Sequence, residues 1–278
     1  MQTGIRFHDT VKLPFEERLS VIREQGFTCT HIALSKAGGI PSREEALTPG
    51  YAMWMKQQFD THDIDCAVLG CYLNLAHPDE AELKKIQARY TAHLRFASIL
   101  GAGVVGTETG SPNKEYRYDP EATVSKETLE LFIRNLRPVV EDAERFGVIL
   151  AIEPVFRHIV SSPARARAVL DAIHSPNLRI IFDPVNLLDP SNIDRRSDVI
   201  REAIDLLHEE IAVIHLKDYQ IKDGQMSCLA CGLGEMDYTD IIRFAKENKP
   251  FIHATLENTT PEDAVGARKY IENLENSL

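Results

Sequence analysis

Strand-like and helix-like segments alternate eight times over 278 residues, which predicts a single closed (β/α)8 barrel, one domain spanning residues 1–278. Two further observations support that fold class. Four apolar runs in the second half end in residues able to bind a divalent metal, Glu153, Asp183, His215 and Glu257. Their separations of 30, 32 and 42 residues each accommodate one strand, one loop and one helix. The main rival, an open doubly wound sheet, would more often use five or six strands and open with G-x-G-x-x-G after the first. No such motif is present, and Gly232-Leu233-Gly234 is too short and common to replace it.

The elements follow in order. Residues 4–8 form the first strand, and residues 15–25 the first helix, with Leu19 and Ile22 at helical spacing. The second strand falls at 31–34. An excursion follows in which Gly38-Gly39-Ile40-Pro41-Ser42 is a loop and Thr48-Pro49-Gly50 starts a helix. Tyr51, Met53, Trp54 and Met55 lie there with the spacing of packed helix side chains, a lid or subunit contact being the alternative. Strand three occupies 65–70 and runs into Cys71-Tyr72, helix 78–100 follows, and strand four at 103–107 ends near Glu108.

The polar stretch 109–125 is long for a structureless connection, so it is expected to help cover a site. It leads into a helix at 126–146. Strands five to eight fall at 148–153, 178–183, 211–215 and 251–257, separated by helices at 162–173, 194–207 and 237–247, with a last helix at 261–274. Ser162-Pro163 and Met236-Asp237 supply capping positions.

Composition narrows the function. A chain with 44% hydrophobic residues can bury one large core, and a net charge of -11 disfavours a broad nucleic-acid surface. A small-molecule substrate is the simpler expectation. Five cysteines are no disulfide framework and fit a reducing compartment. Neither a secretion signal nor an apolar run of membrane-spanning length is seen, so a cytoplasmic protein with no membrane or nucleic-acid partner is expected.

Side-chain alternation places the four polar residues together. Glu153 shares its face with Ala151 and Ile149, Asp183 with Ile181, His215 with Val213, and Glu257 with Thr255 and His253. All four end strands at the carboxyl face, where barrel active sites are assembled. Any one of them could merely cap a loop, but four on consecutive strands point to a metal site.

The segments Ala151-Ile152-Glu153-Pro154, Phe182-Asp183-Pro184-Val185-Asn186, Ile214-His215-Leu216-Lys217-Asp218 and Leu256-Glu257 resemble the sugar phosphate isomerase/epimerase superfamily, the xylose isomerase-like TIM barrels. The resemblance covers nearly all the chain, including Gly232-Leu233-Gly234-Glu235. It implies one divalent metal, Mn first with Mg, Co or Zn as alternatives, held by Glu153, Asp183, His215 and Glu257. It also implies proton transfer beside a ketose or ketose phosphate carbonyl through an enediolate, in an isomerase or epimerase. Other members dehydrate inososes or cut DNA at abasic sites. The chain departs from the ketose epimerases at Asn186, where they usually carry His, and in the loop Asp218-Tyr219-Gln220-Ile221-Lys222, which lacks their arginine.

Within that chemistry Glu153 and Glu257 are the expected proton-transfer pair. Substrate contacts are expected from Asn186, Lys217, Glu108, Tyr72, Arg157 and His8, with His158 beside Arg157. Lys217 could instead form a salt bridge in the barrel mouth, and His8 could satisfy a barrel-end hydrogen bond. Asp218 either orients substrate or His215 or caps a loop. Cys228 and Cys231 form a C-x-x-C pair with no second pair to complete a zinc site, and they read as incidental loop cysteines. Two other functions compete: a metal-dependent dehydratase of an inosose or keto-sugar acid, and a non-catalytic sugar-binding barrel. A homodimer or homotetramer is compatible with the sequence.

Overall fold

A computed structural model describes residues 1–278. The chain begins with β1 (Gln2–Arg6), α1 (Phe15–Glu24), β2 (Cys29–Ile32), the single turn α2 (Leu34–Ala37), α3 (Pro49–His62), β3 (Asp65–Gly70), α4 (Glu80–Leu100) and β4 (Val104–Glu108). It continues through α5 (Lys126–Phe146), β5 (Leu150–Glu153), α6 (Pro163–Ile173), β6 (Leu178–Phe182), α7 (Arg196–Leu207) and β7 (Ile211–Leu216). A hairpin of β8 (Asp218–Lys222) and β9 (Gln225–Leu229) precedes α8 (Thr239–Asn248), β10 (His253–Leu256) and α9 (Ala264–Ser277). Strands β1 to β7 and β10 close into one parallel barrel, with β10 pairing both β7 and β1. The eight longer helices surround it, as expected of a (β/α)8 TIM barrel.

Two apolar bodies hold the barrel. The larger lies between strands and helices; the smaller plugs the interior with Cys29, Ala67, Val68, Val104, Ala151, Ile181 and Val213. Ala151, Ile181 and Val213 are the inward residues that alternation places beneath Glu153, Asp183 and His215. The carboxyl face therefore has a dry apolar floor under its polar layer.

The first two strands differ from the sequence reading in an instructive way. β1 stops at Arg6 because Thr10 turns the chain, its hydroxyl donating to the Phe7 carbonyl at 2.7 Å and closing a 3-10 turn over Phe7–Asp9. His8 thus sits on a turn, not at a strand end. β2 begins two residues before the expected start, and a slip of two preserves which side chains face inward. β10 is shorter than the run 251–257, since Phe251 is exposed where the chain enters the barrel.

The hairpin was not foreseen. Asp218 anchors its base: Oδ1 accepts from the backbone amides of Tyr219 and Met236, both at 2.8 Å, and Oδ2 from those of Gly232 and Gly234, both at 3.0 Å. Four donors satisfy a buried carboxylate that would otherwise be costly. A side chain at Gly234 would meet the Tyr219 carbonyl at 2.1 Å, so only glycine allows this return. Asp218 is the loop cap of its two sequence readings.

Candidate active site and metal centre

Glu153 and Glu108 end neighbouring strands in register, Asp183 follows β6, His215 lies within β7, and Glu257 continues the β10 ladder through its amide to the Leu216 carbonyl at 2.9 Å. The four expected ligands are all buried. His215 is the hub: its Nδ1 lies 3.5 Å from Glu153 Oε1 and 3.3 Å from Glu257 Oε1. Donor atoms form two overlapping triads, Glu153–Asp183–His215 and His31–His215–Glu257, each within 4.8 Å. They share His215.

His31, like Arg6, is a residue that the sequence reading missed. Its ring stacks on His215 with centroids 5.0 Å apart, Nδ1 lies 3.3 Å from Glu257 Oε1, and Nε2 shares a 2.7 Å hydrogen bond with the Tyr72 hydroxyl. The signal was available in the alternation, because Cys29 and His31 share the inward face of β2. Taking His31 as the first residue of its strand hid its place near the carboxyl end. Gly70 leaves room for this arrangement, since a Cβ there would lie 2.5 Å from the Tyr72 ring.

The carboxylates are held unequally. Glu257 faces Arg6 at 3.0 Å, Lys217 at 3.5 Å and His31, whereas Glu153 accepts from the neutral Asn186 Nδ2 at 2.6 Å. Burial opposes ionisation of both. His215, Lys217, His31 and Arg6 nonetheless hold Glu257 well below the usual carboxylate range, while His215 and Lys217 hold Glu153 below it. Burial raises Asp183, partly offset by its 2.7 Å ion pair with Lys217. Burial would lower His215, but Glu257 and Glu153 outweigh it and raise the imidazole to about 9. The pocket demands positive charge at this point.

That demand fits a divalent cation. The buried ring nitrogens of His215 make no hydrogen bond, an unusual state for buried polar atoms, and carboxylates converge on the Nδ1 side. Carboxylate and imidazole donors suit the divalent ions of this chemistry. Asn186 buttresses the set, its amide nitrogen donating to Asp183 Oδ1 at 3.1 Å as its side chain holds Glu153.

The remaining expected contacts divide. Lys217, Tyr72, Glu108, Asn186 and His8 all line one cavity of about 150 Å³ above the hub, together with Lys36. Lys217 is engaged in the salt bridge to Asp183. Burial and Glu153 raise the Glu108 carboxyl to about 7, and the Tyr116 hydroxyl donates to its Oε2 at 3.4 Å. Tyr116 comes from the stretch 109–125 and brings it against Glu108. His158 lies 3.8 Å from the same oxygen. Burial, then Arg6, lowers His8 to about 3. Arg157 departs from this cavity: it is exposed and ion-pairs with Asp189 at 3.0 Å on an outer surface. Cys228 is exposed on β9 and Cys231 buried, both free.

The sequence profile of the xylose isomerase-like TIM barrel matches residues 19–275, and the chain belongs to that family. Comparison with curated protein sequences gives no match. Similar solved structures include a D-tagatose 3-epimerase-like protein, 19% identical with a TM-score of 0.75 over 100% of this chain and 99% of that one. The 3-keto-D-glucoside 4-epimerase YcjR from E. coli is 14% identical with a TM-score of 0.76, covering 98% and 99% of the two chains. The IOLI protein with a bound zinc atom is 16% identical with a TM-score of 0.76, covering 100% and 99%. At these identities the likeness establishes the fold. No helix of the chain is long and apolar enough to cross a membrane.

Proposed function

We propose that the protein is a metal-dependent isomerase or epimerase of a keto-sugar, with Glu153, Asp183, His215 and Glu257 holding one divalent cation. The observation that carries this reading is the pair of buried carboxylates, Glu153 and Glu257, flanking His215 at 3.5 and 3.3 Å. Epimerases and a zinc-containing protein among the similar structures support it. Manganese is the metal we favour.

When bound, the cation supplies polarisation of the substrate carbonyl, which acidifies the neighbouring C–H. The chain's own groups do the rest. Glu153, held by the Asn186 amide, is less strongly stabilised as an anion than Glu257 and is the better proton acceptor. It removes the proton from the carbon beside the carbonyl. Glu257, approaching from the other side of the barrel axis and ionised at rest, delivers to the opposite face a proton that it takes from solvent water, and Glu153 releases its own proton to solvent. Lys217 lies beside both Asp183 and Glu257 and balances the negative charge that develops. Tyr72 and Glu108 are placed to read hydroxyls on the cavity wall.

The test is a library of ketoses, ketose phosphates, keto-sugar acids and inososes, incubated with metal-supplemented protein in deuterated water. Deuterium should enter a carbon beside the carbonyl with no net loss of water. Dominant dehydration would make the protein a lyase using the same site, and no exchange with any member would leave a binding barrel.

A further inference from the structure

A second pocket of about 490 Å³ opens beside the inner cavity and shares Val155 and Asn186 with it. Asn186 stands at the junction: its side chain holds Glu153 and its carbonyl accepts from the Phe156 amide at 2.7 Å. That backbone bond ties the loop after β5 to the loop after β6. The β8–β9 hairpin, fixed at its base by Asp218, supplies the third wall through Gln225 and Met226. The pocket is thus held open by hydrogen bonds already made.

Its chemistry is specific. Phe156, Leu188 and Met226 offer apolar surface, while Ser191 and Gln225 offer polar groups at the edge. Arg157 is the one cation of the lining, and Asp189 neutralises it through Nε at 3.2 Å and Nη2 at 3.0 Å. No free positive charge is left in this pocket for a phosphate. The inner cavity, at about 150 Å³, is only half the lower bound of roughly 300 Å³ usual for small-molecule sites, whereas the outer one lies inside that range.

Resting on the reading of the inner cavity as the keto-sugar site, we propose that the outer pocket is a subsite for a neutral second ring joined glycosidically to that sugar. The substrate class is then a keto-glycoside, not a sugar phosphate. Apolar faces stack against the ring and the edge groups meet its hydroxyls, so affinity comes from a part of the substrate remote from the reacting carbon.

Calorimetric titration of the metal-loaded full chain with methyl β-glucoside, phenyl β-glucoside, cellobiose and glucose 6-phosphate tests this without requiring turnover. Phenyl β-glucoside or cellobiose should bind at least about tenfold more tightly than methyl β-glucoside, and the phosphate should gain nothing. An advantage for the phenyl compound alone would assign the ring as aromatic, and for cellobiose alone as a sugar. Met226→Trp, which fills the pocket, and Phe156→Ala, which removes its wall, should each bring the ratio to within about twofold. Two variants guard against one simply misfolding, and circular dichroism checks both. Equal binding of all glucosides, no binding of any, a ratio that survives both substitutions, or preference for the phosphate would overturn the subsite. Deuterium exchange in the keto-sugar library remains a separate measurement, so the subsite can fail while the reaction stands.

Discussion

The two halves of the barrel contribute differently to the same site. Glu153, Asp183, His215 and Glu257 stand on or just after β5, β6, β7 and β10, gathered in two donor triads that share His215, while β1 to β4 bring Arg6, His31, Tyr72 and Glu108 against them. In the second half each functional residue ends or follows a buried apolar run, so its polarity stands out. In the first half the same positions are tied to neighbours and across to Glu257 of the second half, Arg6 to Asp9 and Glu257, and His31 to Tyr72 and Glu257. On the reading proposed above, the second half supplies the metal donors, and the first half, through Arg6 and His31, sets the charge and orientation of Glu257.

The largest effect expected from this division is loss of metal. Replacing His215 by Ala or Asp183 by Asn should reduce bound metal from near one per chain to a small fraction, measured on protein purified without chelator, and abolish deuterium exchange. Equal metal retention in every ligand variant would break the comparison at its root. Next come Glu153→Gln and Glu257→Gln, which keep side-chain shape but remove a proton-transfer group. Each should lower the exchange rate by about 10²- to 10⁴-fold beyond any effect on substrate binding. Metal content must be read beside the rate, since both residues are also proposed ligands. A rate that falls only in proportion to lost metal would reduce both carboxylates to ligands.

Positioning groups of the first half should matter less. Arg6→Gln and Tyr72→Phe should each cost about 10- to 100-fold in turnover with metal content retained. His31 sharpens the point, because it belongs to one of the two donor triads. If His31→Gln keeps its metal, His31 is a positioning residue. If it loses the metal as His215→Ala does, the ligand set extends into the first half and the comparison is redrawn.

This asymmetry explains what the sequence could reveal. The fold was legible because a parallel barrel buries its strands on both faces, so the runs at 178–183 and 211–215 are unmistakable. The proposed ligands were legible only as a set, because any one of Glu153, Asp183, His215 and Glu257 could cap a loop but all four end consecutive apolar runs. Arg6 was passed over because an arginine within a strand signals nothing until its partners are known. They are Asp9, three residues on, and Glu257, at the other end of the chain. Arg157 follows Glu153 closely in sequence, but its ion pair with Asp189 holds it in the lining of the outer pocket and away from the inner cavity. The hairpin was missed because its strands are half-exposed and short, and the buried Asp218 that organises them looks like any polar loop residue.

The smallest expected effect is a proton count, and it probes the charge balance between the halves directly. With no cation bound, burial disfavours the His215 imidazolium but Glu257 and Glu153 outweigh that and raise its pKa to about 9, so the ring carries a proton at pH 7. A cation held by His215 must displace that proton. Metal loading at pH 7 should therefore release about one proton per chain, declining through about pH 9, and apparent affinity should rise about tenfold per pH unit up to that point. Stability has the matching sign. A folded-state pKa above the unfolded value of about 6.5 contributes stability present in full below that pH and lost as the pH rises through about 9. The cation-free protein should thus lose thermal stability over this interval, whereas loading with metal should stabilise it increasingly. Titrations in buffers of different ionisation enthalpy give the proton count, and melting curves with and without chelator give the stability trend. Absence of proton release between pH 6.5 and 8 would mean that His215 is already neutral, and that Arg6 and Lys217 alone balance the two carboxylates.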